Sequence, residues 1–234
     1  MFQFKQFAVD DSHCGMKVGT DAVTLGAWAE MESPLTVLDV GAGSGILSLI
    51  VAQRYPNASV TAIEIDENAA EDCRENFAKS PFSDRLALIV GDFLSCDFGE
   101  RRFDMIISNP PFFTEALKSP EKERATARHE GEFGIPTLIE HASRLLADGG
   151  RLVFVAPTSR DQEIRFLLTL HRLWPAAVTR MRQRQSRPLV RTLWNCCRST
   201  GSAKTVENEL TVNANDGGFT AEYAALTRDF YLAL

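Results

Sequence analysis

Long apolar runs are missing from this sequence. The most apolar segment near its first glycines, residues 46–52, is seven residues long, whereas a membrane-spanning helix needs about 20. The opening MFQFKQF, soon followed by Asp10 and Asp11, lacks the apolar stretch of a secretory leader. A cytoplasmic protein with no membrane partner is the expectation. Cysteine is scarce as well: five residues, with no CxxC pair, fit reduced thiols better than a disulfide framework. Cys196 and Cys197 are adjacent, and neighbours in a strand face opposite ways, which argues for packing rather than a shared metal. His13, His141 and His171 show no ligand spacing and His129 reads as a surface contact rather than a catalytic base, so no metal is expected. An excess of positive charge is also absent. A net charge of −6 excludes a surface coated for nonspecific nucleic-acid binding but leaves room for a local basic face.

What is present is ordinary globular material, 44% hydrophobic and 24% charged. The 234 residues suit one α/β domain with modest additions. Apolar runs alternate with helical patterns, the order expected of a mostly parallel sheet with helices on both faces. Strands are expected at 36–40, 59–64, 87–90, 105–108 and 151–156, with two more at 177–182 and 190–198, seven in all. Helices are expected at 46–54, 67–79, 136–146 and 160–170, with Asp66 and Ser159 as N-caps and Asp148-Gly149-Gly150 as a stop signal. A helix over 20–31, capped by Thr20 or Asp21, precedes the sheet. Residues 199–204 and 213–218 read as loops and 221–231 as a short helix.

Val37-Leu38-Asp39-Val40-Gly41-Ala42-Gly43-Ser44-Gly45 sets a strand, a glycine-rich turn and a helix start in succession. Glycines suit a backbone that bends sharply and approaches a ligand closely. A GxGxxG dinucleotide fingerprint would need glycine or alanine where Ile46 stands, which argues against a dehydrogenase. The GxGxG pattern, with Asp39 two residues ahead, resembles the S-adenosylmethionine loop of class I methyltransferases. Glu64 ends the next strand, where a carboxylate can accept hydrogen bonds from both hydroxyls of a ribose. Asp92 and Phe93 follow the third strand, and the resemblance implies that this pair lies beside the adenine of the cofactor.

At the end of the fourth strand stands Ser108-Asn109-Pro110-Pro111-Phe112. Two consecutive prolines stop helix and ladder alike and fix an extended turn. The segment resembles the (D/N/S)PP(Y/F) motif of methyltransferases acting on planar amino or amide nitrogens. Such a nitrogen has its lone pair delocalised into the ring and is a poor nucleophile until it is localised. The resemblance implies that Asn109 and the Pro110 carbonyl accept the two amino hydrogens, that Pro111 stiffens the turn, and that Phe112 stacks on the base, worth about 1–3 kcal/mol.

The ends of the chain resemble one family, the bacterial tRNA1(Val) adenine N6-methyltransferases. The matching segments are Phe4-Lys5-Gln6-Phe7, Met16-Lys17-Val18-Gly19-Thr20-Asp21, Leu25-Gly26-Ala27-Trp28, Tyr223-Ala224-Ala225-Leu226-Thr227 and Phe230-Tyr231-Leu232. This implies a Rossmann-like class I methyltransferase, with residues 1–35 an extension over the cofactor site and 36–234 the catalytic core of a single domain. Lys17 and Thr20 would join Asp39, Gly41, Gly43, Gly45, Glu64, Asp92 and Phe93 around S-adenosylmethionine. The substrate implied is the adenosine beside the anticodon of a valine tRNA, and the protein is expected to act as a monomer. Phe112 replaces the tyrosine of better-known members. It keeps guanine N2 of ribosomal RNA open as an alternative, and protein glutamine is another. RNA needs cations, and two groups offer them: Lys118, Lys122, Arg124 and Arg128 after the motif, and the run from Arg180 to Arg191. In that run Arg180, Arg182 and Arg184 share one face of a strand.

Overall fold

The computed structural model describes residues 1–111, 133–198 and 204–232. The N-terminus forms a small antiparallel pair, β1 (Phe2–Gln3) with β2 (Ala8–Val9). Helix α1 (Thr20–Trp28) follows and leads into alternating units: β3 (Thr36–Val40), α2 (Ile46–Arg54), β4 (Ser59–Glu64), α3 (Glu67–Lys79), β5 (Leu86–Val90) and β6 (Phe103–Ser108). The second half holds α4 (Ile135–Leu145), β7 (Leu146–Pro157), α5 (Asp161–Leu170), β8 (Trp174–Arg184), β9 (Arg191–Cys197), β10 (Val206–Asn213) and α6 (Ala221–Thr227).

All but β1 and β2 join one sheet in the order β10-β8-β9-β7-β6-β3-β4-β5. From β7 to β5 every pair is parallel, while β9 runs antiparallel to both β7 and β8. Two apolar layers sandwich the sheet. One packs α2, α3 and α1 against Val37, Val60, Ala62, Met105 and Ile107. The other packs α4 and α5 against Leu38, Ile63, Ile106, Leu152 and Phe154. Successive strand residues thus feed opposite cores, the period-two rule at work.

The register decides where a site can form. Val40 pairs with Ile63 and with Ser108, and Glu64 pairs with Val90. Hence the turns after β3, β4, β5 and β6 all emerge on one edge. Crossover helices return the chain on the other side, so this carboxyl edge is where α/β sheets gather ligands.

Several expectations are corrected. The sheet has eight strands rather than seven. Strand β10 lies parallel beside β8, and only Leu210 and Val212 of it are buried, too few for an apolar alternation to stand out. Helix α1 ends at Trp28 and is preceded by Gly19 with no side-chain cap. Ser159 lies in a 3-10 turn, and Arg160 is the residue before α5. Asp148-Gly149-Gly150 sits inside β7, where a register irregularity opposite Phe103 absorbs it. Asp66 does cap α3, its Oδ1 accepting from the Ala69 amide at 2.8 Å. Cys196 and Cys197 are both buried in β9.

Candidate active site

The glycine turn is built from left-handed residues. Gly41, Gly43 and Gly45 have φ of 69°, 55° and 81°, a region that L side chains enter at a cost of about 1–2 kcal/mol. The reasons for glycine differ along the turn. A Cβ on Gly45 would lie 2.5 Å from Phe77 and 2.9 Å from the Cys73 sulfur, so glycine there lets the loop press onto α3. A Cβ on Gly43 would meet nothing within 4 Å, so that position borders open space.

Asp39 lies beneath this turn. It is fully buried, and its Oδ2 accepts from the Ser48 amide at 3.0 Å and the Ser48 hydroxyl at 2.7 Å. The carboxyl therefore satisfies an otherwise unpaired amide in the first turn of α2. Asp39, expected beside the cofactor, is buried under the loop with one carboxylate oxygen turned to Ser48. Burial also pushes its pKa from 3.8 up to about 7, against the lowering effect of the Ser48 hydrogen bonds. Its second oxygen has no hydrogen-bond partner among the described residues.

Glu64 ends β4 beside the glycine turn. Its Oε2 accepts from the Gly43 amide at 2.7 Å and its Oε1 from the Asp66 amide at 2.9 Å. Each carboxylate oxygen retains a lone pair for a further donor. After β5, Asp92 Oδ1 accepts from the Leu94 amide at 2.9 Å, which shapes the turn. Phe93 is buried among Phe98, Phe133 and His141, so it braces the groove from the core side.

Asn109 follows β6 on the same edge. Its Oδ1 is buried with no hydrogen-bond partner among the described residues, an arrangement that costs free energy unless a donor meets it. Ser108 holds the strand end in place, its hydroxyl donating to the Val40 carbonyl at 2.8 Å. Pro110 is buried and Pro111 half-buried. Phe112 and the cations Lys118, Lys122, Arg124 and Arg128, with His129, lie outside the described residues.

Sequence reasoning missed how the N-terminal extension is fastened to α3 and the glycine turn. Asp72 of α3 accepts from the His13 amide at 2.8 Å, the Cys14 amide at 3.1 Å and the His13 ring at 2.7 Å. Asn76, one turn on, accepts from the Asp10 amide and donates to the carbonyls of Asp10 and Ser44. It therefore ties the extension directly to the glycine turn. Asp11 then accepts from the Val18 amide at 2.7 Å. The strap so held brings the Met16 sulfur to 3.8 Å from Asn109 Nδ2. Lys17 spends its ammonium on the Asp11 and Ser12 carbonyls within this strap, and Thr20 opens α1 half-buried. The clue in the sequence was two polar residues, Asp72 and Asn76, on the face that also carries Ala69, Cys73 and Phe77.

The arginine run divides. Arg180 pairs with Asp161 and Glu207, at 2.8 and 2.9 Å, and Arg182 pairs with Glu209. Expected to face RNA, these two are neutralised by carboxylates of α5 and β10. Arg191 pairs with Asp21 of α1 at 2.8 Å. Arg184 is exposed. Among the described residues no cluster of three or more His, Cys, Asp or Glu is placed to hold a metal, and none of the helices is long and apolar enough to cross a membrane.

With this geometry in view, the comparisons decide the family. The methyltransferase small domain family matches residues 28–173. A tRNA1(Val) (adenine(37)-N6)-methyltransferase of Porphyromonas gingivalis W83 is 39% identical over 241 residues, covering 99% of this chain and 94% of the relative. One from Vibrio vulnificus YJ016 is 40% identical, covering 100% and 96%. The chain belongs to the tRNA1(Val) (adenine(37)-N6)-methyltransferase family. Among solved structures, a predicted O-methyltransferase from Agrobacterium tumefaciens superposes with a TM-score of 0.70 over 90% of this chain and 96% of its own, at 22% identity, which supports the class I methyltransferase fold. The cofactor of this methyltransferase is S-adenosylmethionine. The open space at Gly43, the Glu64 carboxylate and the unpartnered Asn109 oxygen fit it and a nitrogen acceptor.

Proposed function

We propose that this protein methylates the N6 amino group of adenosine 37 in tRNA1(Val), the reaction named for its relatives. The observation that carries the reading is the buried Asn109 oxygen, without a partner among the described residues, at the strand end next to the glycine turn. When bound, S-adenosylmethionine supplies an activated methyl group on a sulfonium. Gly41, Gly43 and Gly45 let the backbone approach the cofactor, Glu64 receives the ribose hydroxyls, and Asp92 borders the adenine.

Asn109 Oδ1 and the Pro110 carbonyl accept the two hydrogens of the target amino group. Both bonds favour a nitrogen with a localised lone pair, and Pro111 keeps the turn rigid while Phe112 stacks on the base. Removing one such pre-arranged acceptor is expected to cost roughly 10²–10³ in rate, by analogy with oxyanion-hole donors. No protein nucleophile is needed, and burial pushes the Cys14 thiol near the strap up to about 12, far from a thiolate. The target base must leave its stack to reach this groove, which is easier in an anticodon loop than in a duplex.

The test is incubation of the protein and S-adenosylmethionine with unmodified tRNA1(Val) transcript, followed by mass spectrometry of the nucleosides and of their position. N6-methyladenosine at the position beside the anticodon is expected. N2-methylguanosine, or methylated glutamine with no RNA product, would overturn the choice of acceptor.

A further inference from the structure

The hairpin that joins β8 to β9 stands on the same edge as Asn109. Phe154 of β7 pairs with Ser108, and Pro157, three residues on, pairs with Arg191 at the start of β9. The hairpin base is therefore roughly 10 Å past the level of Ser108 and two strand spacings, also about 10 Å, to its side. It is fastened there twice. Thr158 donates its amide to the Val190 carbonyl at 3.2 Å, and Arg191 pairs with Asp21, five residues after the Met16 that touches Asn109.

Two arginines crown this hairpin. Arg184 and Arg187 are exposed, and among the described residues neither forms an ion pair, in contrast to Arg180, Arg182 and Arg191. The amide of Arg187 donates to the Arg184 carbonyl at 2.9 Å, so the turn draws the two residues together. They flank a concavity of about 450 Å³ completed by Gln183, Pro188 and Val190. In a chain of net charge −6, Arg184 and Arg187 thus leave two exposed guanidiniums without a carboxylate partner among the described residues, on the hairpin at the catalytic edge.

We infer that Arg184 and Arg187 grip RNA backbone phosphates flanking the target nucleotide, while Arg180 and Arg182 serve the fold alone. The inference rests on the RNA reading above and adds the place of contact. A guanidinium offers planar paired donors that match phosphate oxygens, and Pro188 with Val190 gives an apolar floor for a sugar. The five arginines of one segment thus divide by their partners: those facing Asp161, Glu207, Glu209 and Asp21 hold elements together, and the two beyond the reach of these carboxylates face the substrate.

The experiment compares tRNA1(Val) transcript binding as a function of salt, from about 50 to 200 mM, for wild type, R184Q/R187Q and R180Q/R182Q. Each lost phosphate contact flattens the log–log salt slope by about 0.7–0.9. The hairpin pair should therefore lower the slope by roughly 1.4–1.8 and raise KM for tRNA. R180Q/R182Q should keep the wild-type slope and show a lower melting temperature. A wild-type slope in R184Q/R187Q overturns the inference, as does an equal loss in R180Q/R182Q. The single variants R184Q and R187Q, each expected to lose about half the effect, keep the test decisive if the double variant misfolds. Failure of the underlying reading looks different: wild type itself would then transfer no methyl group to tRNA.

Discussion

The two halves of the sheet meet the same edge with different materials. From β5 to β6 the edge is main chain: three left-handed glycines, a proline pair, and amides held by Glu64 and Asp92. From β7 to β10 it is side-chain charge, with arginines set against the carboxylates of α5 and β10. The first half has little tolerance because its geometry is backbone geometry. The second is a solvated network in which single pairs are worth about 0–1 kcal/mol. A ligand whose reacting atoms must be placed closely belongs to the first half, and a flexible, highly charged polymer to the second.

Stability variants sharpen the contrast, beginning with the largest expected effect. Gly45→Ala combines a strained φ with a Cβ driven into Phe77 and Cys73, a cost of roughly 2–5 kcal/mol. Thermal melting should fall on the order of 10 °C. Gly43→Ala meets no neighbour, so it should lose only the conformational part and show its main effect as weaker S-adenosylmethionine binding in calorimetry. Equal stability losses at the two glycines would break the distinction between packing and ligand space.

Asp72→Ala comes next. It leaves the His13 and Cys14 amides without their acceptor, at about 1–3 kcal/mol for a buried donor. KM for S-adenosylmethionine should rise as the strap loosens, and Asp72→Asn, which still offers an acceptor, should restore most of it. The hydrogen bond and charge of Asp72 raise the His13 pKa above 6.5. The clasp is therefore fully formed below that value and weakens as pH climbs through the raised one. A KM for the cofactor that ignores both substitutions would remove the strap from the binding account.

The last variant concerns Asp39 and is read against pH. Its folded-state pKa of about 7 against an ordinary 3.8 means that the folded protein binds an extra proton between those values, so this group lowers stability as pH rises across that window. Asp39→Asn should flatten the dependence of melting temperature on pH there. An unchanged pH profile would show that the carboxyl is ionised in the fold.

How much of this was readable in the chain follows from distance along it. Strands β3 and β4 and helices α2 and α3 begin and end where the sequence placed them, because each is bounded by turn or cap residues adjacent to an apolar pattern. The turn residues Gly41–Gly45 and Asn109-Pro110-Pro111 were visible for the same reason. What escaped depends on partners far away. Asp72 meets His13 across 59 residues and Asn76 meets Asp10 across 66, and no local period reports such pairs. Arg180 and Arg182 looked like a cationic face until β10 brought Glu207 and Glu209 beside them. Asp39 is bonded to Ser48 at the start of α2, a partner nine residues on that a strand pattern does not report.

The most direct test of the account pairs two measurements on Asn109→Ala: S-adenosylmethionine affinity by calorimetry and single-turnover methyl transfer to tRNA1(Val) transcript. The account predicts an affinity within about twofold of wild type and a transfer rate lower by roughly 10²–10³. Undiminished transfer would contradict the role given to the Asn109 amide, and a parallel collapse of cofactor binding would mean that Asn109 belongs to the cofactor cradle rather than to the acceptor.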